Sequence, residues 1–278
     1  MRKTLVVTII ILLCFSAKAQ WFDTPIIELD TAQLVVMYNL TFVQDTNHPN
    51  YKQQERQILL TGRWASSFQA YNNYNLDKIG RQKRKDGTMV EWLSSGVSAQ
   101  EFGCRFYFII YKEHDKGAII TTERVFSIAT FKYEEKADDF NWEITEESST
   151  INGYQAQKAY CDFGGRRWEA WFTPEIPYSE GPYKFCGLPG LILNIADTQG
   201  HYVFETLSIE KPEPGTMVEF KDRDDYVVST KKEFFKVHDD NKKNIVNVMK
   251  ANGGDAQMVQ RAGQVELSKN NPIELDRK

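Results

Sequence analysis

The sequence contains few residues whose types and spacing would support catalysis. Its four histidines are His48, His114, His201 and His238. No two of them have the spacing of a zinc-binding helix motif, and neither a Gly-x-Ser-x-Gly nucleophile elbow nor a Cys-x-x-Cys pair occurs. The remaining candidate is Cys186 as a nucleophile with His201 as its base, although an apolar stretch such as the one around Cys186 usually holds an inert thiol. The sequence therefore predicts no catalytic residue, no metal site and no cofactor.

The most distinctive segment is a run with two glycines and a proline that leads into an apolar strand. It consists of Gly187, Leu188, Pro189, Gly190, Leu191 and Ile192. The glycines favour a tight turn with a close backbone approach, and the apolar residues favour a buried strand. The run lacks the third glycine of a dinucleotide fingerprint, and no Gly-Lys-Ser/Thr of a phosphate loop follows it. We interpret it as a structural motif, and the alternative of a ligand or partner site stays open.

A β-hairpin is predicted around Gly164-Gly165, because two glycines readily adopt the positive φ angles of a two-residue turn. Registering both strands on this turn places Cys161 opposite Trp168 on an apolar face. Trp171 then lies on the other face, which is polar, next to Lys158. We expect Cys161 to point into the core beside Trp168.

A tryptophan on a polar face indicates that something covers it, because leaving it in water forgoes about 1.5–3 kcal/mol of burial free energy. The segment 174–184 follows the hairpin and is predicted to be a rigid loop, since its prolines remove hydrogen-bond donors and fix φ. We expect this loop, the helices after residue 230 or a bound guest to cover Trp171. The predicted ligand-binding surface consists of Lys158, Trp171, Tyr183, Lys184 and Phe185.

The elements that must position these residues are mostly strands. Runs of β-forming residues separated by polar turns occur at residues 34–43, 57–61, 105–111, 118–122, 125–133, 142–145, 191–195 and 201–209. Such spacing is typical of an antiparallel meander. Residues 63–76 are compatible with either a helix or a loop.

The C-terminal part of the chain has a different pattern. Thr230 followed by Glu233 resembles a capping box, and apolar residues recur at helical spacing over residues 230–250, so one or two amphipathic helices are predicted there. The predicted fold is mainly β (α+β): a curved antiparallel meander sheet, similar by analogy to the half-barrel of lipoprotein carriers. We predict a β domain over residues 20–215 and a helical segment with an extended tail over residues 216–278.

The N-terminus has the pattern of a secretory signal peptide. Two basic residues precede an apolar run at residues 5–15, and Ala17-Lys18-Ala19 supplies the small-x-small pattern that signal peptidase needs. We therefore predict a cleaved signal peptide over residues 1–19 and a periplasmic or cell-envelope location, with lipoprotein cleavage before Cys14 as the weaker alternative. The apolar run is shorter than the roughly 20 residues of a membrane-spanning helix, and no later segment reaches that length.

The charge and the cysteine content limit which classes of function and how many disulfides the chain can have. The net charge of −4 becomes −7 when residues 1–19 leave with their three cations, which argues against general nucleic-acid binding. The basic run at residues 78–85 is interpreted as a solvated loop face, and a phosphate or lipid-headgroup site is the alternative. The cysteines that remain after cleavage are Cys104, Cys161 and Cys186, so at most one internal disulfide can form.

Residues 185–192, Phe-Cys-Gly-Leu-Pro-Gly-Leu-Ile, resemble the signature of the GLPGLI family of exported proteins in Gram-negative bacteria. Other parts of the family pattern are similar to Gly153-Tyr154, Lys158-Ala159, Gly165-Arg166, residues 170–177, residues 181–185 and residues 271–275. Members of the family often carry a cysteine where this chain has Ala156, which removes one family disulfide position. The resemblance implies export but supplies no activity, cofactor or catalytic residue, because the function of the family is unsettled.

Two classes of function are consistent with these patterns. The first is an exported, non-catalytic envelope protein that binds a hydrophobic or amphiphilic ligand, or an envelope partner, on the concave face of its sheet. A structural component of an outer-membrane assembly is a close variant of it. The second is an envelope hydrolase or thiol enzyme that uses Cys186 and His201. A continuous apolar groove would favour the first class, and a cleft that gathers Cys186, His201 and a carboxylate would favour the second.

Overall fold

The computed structural model describes residues 24–95, 103–137, 140–251, 253 and 255–277. The predicted signal peptide lies outside the described residues. Within those residues, no helix is both long enough and apolar enough to cross a lipid bilayer.

Fourteen strands are present in the described part of the chain. They are β1 (Ile26–Thr31), β2 (Leu34–Val43), β3 (Lys52–Thr61), β4 (Ala65–Ala70), β5 (Ile109–Glu113), β6 (Ala118–Val125), β7 (Ala129–Lys136), β8 (Glu143–Ile151), β9 (Tyr154–Phe163), β10 (Arg166–Thr173), β11 (Leu191–Asp197), β12 (Tyr202–Glu210), β13 (Met217–Lys221) and β14 (Val227–Val228). Twelve of them form one sheet in the order β14-β7-β6-β5-β4-β3-β2-β12-β11-β10-β9-β8, while β1 and β13 form a separate two-stranded ribbon.

All neighbours in the large sheet are antiparallel except β14 and β7, which are parallel. The sheet is open, with β14 at one edge and β8 at the other. The prediction of a mainly β, antiparallel fold is therefore confirmed.

The helices are α1 (Tyr71–Lys85), α2 (Met89–Ser94), α3 (Lys231–Lys243), α4 (Ile245–Ala251) and α5 (Ala256–Ser268). The capping box predicted at the start of α3 is present, because the Thr230 hydroxyl accepts from the Glu233 backbone N–H and the Glu233 side chain accepts from the Thr230 N–H. In the described structure, the region 230–250 contains two helices, α3 and α4, as predicted, whereas α5 forms after Gly253, where an extended tail was expected.

Several sequence-based boundaries differ from the structure. Residues 63–76, compatible with helix or loop, contain the strand β4 followed by the start of α1. The predicted strand 105–111 begins only at Ile109, and the rings of Phe106 and Phe108 before it pack against the apolar core, 5.4 Å from each other.

The hairpin of β9 and β10 has the predicted register. Gly164 and Gly165 both have positive φ, 62° and 72°, and Cys161 lies opposite Trp168. Both of these side chains are 0 % exposed, so the prediction that Cys161 points into the core beside Trp168 is confirmed.

One face of the large sheet packs on a single apolar cluster. This cluster takes residues from both halves of the sheet, for example Tyr38 from β2, Ile119 from β6 and Trp168 from β10. It also contains residues of the segment between β10 and β11, including Tyr183, Phe185 and Leu188. The curved face that was expected to accept a guest is thus filled by the protein's own segment 174–190.

The described residues cover the other face over only part of its width. On β2–β4, the ribbon of β1 and β13 and the first turn of α1 cover it, with Val218 buried against Leu60 and Tyr71 packed beside them. On β8–β12, the corresponding side chains are half-buried or exposed, as the alternating pattern of β10 shows. This uncovered region is called the open face below.

Candidate functional site

The predicted binding residues are divided between the two faces of the sheet. Tyr183, Lys184 and Phe185 are buried, with at most 4 % of their surface exposed. The ring of Phe185 lies 4.7 Å from the ring of Trp168, on the filled face. Trp171 and Lys158 are paired on β10 and β9 and are only half-buried. The loop of residues 174–184 therefore does not place Tyr183 and Phe185 over Trp171. Their rings are instead buried in the apolar cluster.

Lys184 lies at the centre of a buried ion-pair network. Its ammonium donates to Glu274 Oε1 at 2.7 Å and to the Glu135 carboxylate. Lys231 joins both carboxylates from α3, and the Tyr183 hydroxyl donates to Glu274 Oε1 at 2.6 Å. Burial favours the neutral carboxyl of Glu274, but Lys184 and Lys231 outweigh it and lower its pKa to about 2. Lys184 therefore stabilises the fold rather than facing a ligand.

Glu180 forms a second buried network at the other side of the same loop. Its carboxylate accepts from Lys112 Nζ at 2.7 Å, from Ser66 Oγ at 2.8 Å and from His114 Nε2 at 2.6 Å. Lys112 also donates to the backbone carbonyls of Gly181 and Phe185. The loop is thus fixed to β4 and β5 by buried charges and hydrogen bonds. The sequence signal for this network is Lys112, a lysine within the apolar strand β5.

The surroundings of His114 in this network favour its protonated form. Its Nδ1 lies 3.0 Å from the Arg63 carbonyl and its Nε2 lies 2.6 Å from Glu180, so both ring nitrogens face acceptors. Burial alone would lower the pKa of His114, but Glu180 and the Arg63 carbonyl outweigh it and raise the pKa above its ordinary value of 6.5. Neither nitrogen is left to act as a base.

The raised pKa of His114 predicts a pH-dependent part of the stability. A group whose pKa rises on folding contributes fully below its unfolded pKa, and the contribution is lost as pH rises through the folded pKa. We expect the free energy of unfolding lost in His114→Gln, measured by urea denaturation, to be larger at pH 5.5 than at pH 8.5. A loss that is the same at both pH values would show that His114 is not charged in the folded protein.

Arg166 uses its three guanidinium nitrogens to bind the C-terminal segment and the end of β11. Nε donates to the Ile273 carbonyl at 2.9 Å and Nη1 to Asp197 Oδ2 at 2.8 Å. Nη2 donates to Asn271 Oδ1 at 2.6 Å and to the Pro272 carbonyl at 2.7 Å. The Gly165-Arg166 and Asn-Pro-Ile-Glu-Leu elements of the family pattern are therefore direct neighbours in the fold.

The Gly-Leu-Pro-Gly-Leu-Ile run forms a turn followed by a strand, as predicted. Gly187 and Gly190 have positive φ, 93° and 147°, and β11 begins at Leu191. The backbone N–H groups of Leu191 and Ile192 donate to the carbonyls of Ile176 and Glu180 at 3.0 and 2.8 Å. The motif therefore pairs with the proline-containing loop and closes it against the core.

Trp171 and Lys158 are the predicted site residues that lie on the open face. The Lys158 ammonium lies 4.9 Å from the centre of the Trp171 ring, and Trp171 Nε1 donates to Glu169 Oε1 at 3.3 Å. Lys158 is itself paired with Glu147 at 2.6 Å. A neighbouring tyrosine, Tyr160, is flanked by the same Lys158 and by Arg167. This arrangement combines aromatic surface with charges of both signs.

The structure gives the thiol hypothesis little support. Burial raises the pKa of the Cys186 thiol to about 11, so it is protonated at neutral pH. Its Sγ contacts the Ala137 carbonyl at 3.7 Å, and no hydrogen bond joins it to His201. Cys104, Cys161 and Cys186 are all free thiols in the described structure.

Solved structures show a likeness of fold. A structure of PNGF-II in space group P21 matches 76 % of this chain and 34 % of its own, with a TM-score of 0.52 and 13 % sequence identity. A structure of PNGF-II in space group C2 matches 76 % of this chain and 32 % of its own, with a TM-score of 0.48 and 14 % identity. The chain spans about a third of the length of these proteins, and at this identity the likeness concerns the fold alone.

Comparison by sequence gives one family. No curated protein matches this chain. Residues 165–194 match a family model described as "Protein of unknown function (Porph_ging)". The matched residues include Arg166, Lys184 and the Gly-Leu-Pro-Gly-Leu-Ile run, which fix the loop and the C-terminal segment. Over residues 165–194, the chain carries the signature of the GLPGLI-type family of exported proteins, whose function is unknown.

Proposed function

We propose that this chain is an exported, non-catalytic binding protein of the cell envelope that takes an amphiphilic ligand or envelope partner on its open face. The observation that carries the proposal is the half-exposed Trp171 beside Lys158, on a sheet face that the described residues leave uncovered. The curved face is a poorer candidate, because residues of the loop fill it. A periplasmic location is part of the proposal.

The open face extends well beyond Trp171. Directly opposed residues on neighbouring strands form a row that crosses it with Lys158, Trp171, Asn194 and Glu205 and continues onto β2 and β3 with Asn39 and Arg56. With strands about 4.8 Å apart, this row spans about 24 Å. The row combines the indole of Trp171 with two amides and with charges of both signs. An elongated partner with both apolar and polar groups would therefore be complementary to it.

The test compares two tryptophans that are similar in setting but differ in position. Trp171→Ala removes the aromatic centre of the open face. Trp64→Ala is the matched control, since Trp64 is 51 % exposed and has Arg63 at 4.5 Å over its ring, but lies on the turn between β3 and β4. Both variants and the wild type would be purified from the native envelope and compared by native mass spectrometry.

We expect a bound mass on the wild type and on Trp64→Ala, and its loss from Trp171→Ala. Trp171→Phe, which retains most of the ring surface, should keep it. A bound mass that persists in Trp171→Ala would show that the open face is not the site. Three proteins that all lack a bound mass would contradict a tightly held ligand.

A further inference from the structure

The last residues of the chain occupy a groove that is chemically specific for them. Asn271, Ile273 and Glu274 are buried, with 5 %, 7 % and 0 % of their surface exposed. Asn271 Nδ2 donates to the Val43 carbonyl at 2.7 Å, and the backbone N–H of Leu275 donates to the Gly164 carbonyl at 2.6 Å. No strand in the described structure includes this tail of residues 269–277, which is held by side chains and turn contacts.

Each recognised group of the tail has its own partner in the groove. Arg166 binds the Asn271 side chain and the carbonyls of the next two residues. Lys184 and Lys231 bind the two oxygens of Glu274. A Cβ added to Gly164 would lie 3.0 Å from Glu274, and one added to Gly165 would lie 3.1 Å from Leu275. The glycines therefore allow the tail to approach the hairpin closely. A peptide-binding site recognises an extended segment through such contacts. The recognised groups here are an amide and a carboxylate three residues apart.

We propose that this groove is a peptide-recognition site and that it accepts the Asn-Pro-Ile-Glu tail of a second copy of the chain in exchange for its own. Complementarity favours this occupant, because the donors of the groove match a segment that every copy of the chain carries. The tail also joins no β-ladder within the described residues, so its departure breaks no strand pairing there. Exchange of such an element is a low-cost route to a dimer.

Two full-length variants test the exchange. In the first, Asn271→Ala with Glu274→Gln weakens the tail and leaves the groove intact. In the second, Arg166→Gln weakens the groove and leaves the tail intact. Sedimentation velocity of each variant alone should show monomers, and the equimolar mixture should show a dimer. A mixture that stays monomeric while both variants are folded would overturn the proposal.

A synthetic peptide provides the second measurement. A fluorescent peptide of residues 269–278 should bind the tail variant saturably and bind the wild type at least about tenfold more weakly, because the attached tail competes at a high effective concentration. The same peptide with Asn271→Ala and Glu274→Gln is the control. If the tail variant is unfolded, restored folding on addition of the peptide supports the site. A folded tail variant that does not bind, or an unfolded one that the peptide does not rescue, rules it out.

Discussion

Replacing Arg166 by alanine should cost about 3–5 kcal/mol of unfolding free energy, whereas the same change at the adjacent Arg167 should cost far less. Arg166 is 6 % exposed and its loss leaves Asp197, 3 % exposed, without its cationic partner. Breaking a buried ion pair by removing one partner is strongly destabilising for this reason. Arg167 lies on the open face and pairs with Glu143 and Asp162 in contact with water, which screens the interaction.

Urea denaturation of the two variants measures this difference. Arg166→Lys is a useful third variant, because a lysine keeps the charge but cannot form the four hydrogen bonds of the guanidinium. We expect it to recover only part of the loss. Equal destabilisation by the alanine substitutions would mean that burial does not distinguish these neighbouring arginines.

Gly190→Val should destabilise the fold by more than about 4 kcal/mol, which is exceptional for one substitution. The φ of Gly190 is 147°, and a Cβ added there would lie 2.1 Å from the Thr173 carbonyl oxygen. That contact is with backbone, so no side chain can move aside to relieve it. Since β10 ends at Thr173 and β11 begins at Leu191, the variant forces these strands apart where the loop is closed.

Substitutions at two other residues test whether the loss of stability comes from the backbone requirement at Gly190 or from any change in or near the motif. Pro189 is exposed, so Pro189→Ala should cost only about 0.4–1 kcal/mol, through greater freedom of the unfolded chain. Gly200→Ala is the control for positive φ alone, because its φ is 66° and nothing lies within 4 Å of an added Cβ. Thermal melts should rank Gly190→Val as far the most destabilising. A Gly190→Val protein with a near-wild-type melt and lost ligand binding would instead identify the motif as a site.

Local patterns in the sequence correctly predicted those secondary-structure elements that do not depend on residues distant in the chain. The two glycines of the hairpin turn and the alternation around them fixed which side chains face the core, because a slip of one residue would reverse every side chain. The capping box at Thr230 and Glu233 and the turn at Gly187–Gly190 are likewise formed by residues that are close in sequence. Strand boundaries were less certain, since the aromatic residues before β5 favour a strand but pack as an irregular segment.

Only the tertiary structure decided which polar residues face water. Lys184 was predicted to meet a ligand, but its carboxylate Glu274 lies 90 residues further along the chain. Lys112 and Glu180 are 68 residues apart, and Arg166 and Asn271 are 105 apart. A charge can be buried only where the fold brings its partner, and sequence periodicity carries no information about that partner. For the same reason the pattern around Trp171 identified a surface residue, while the filling of the curved face by segment 174–190 became evident only from the fold.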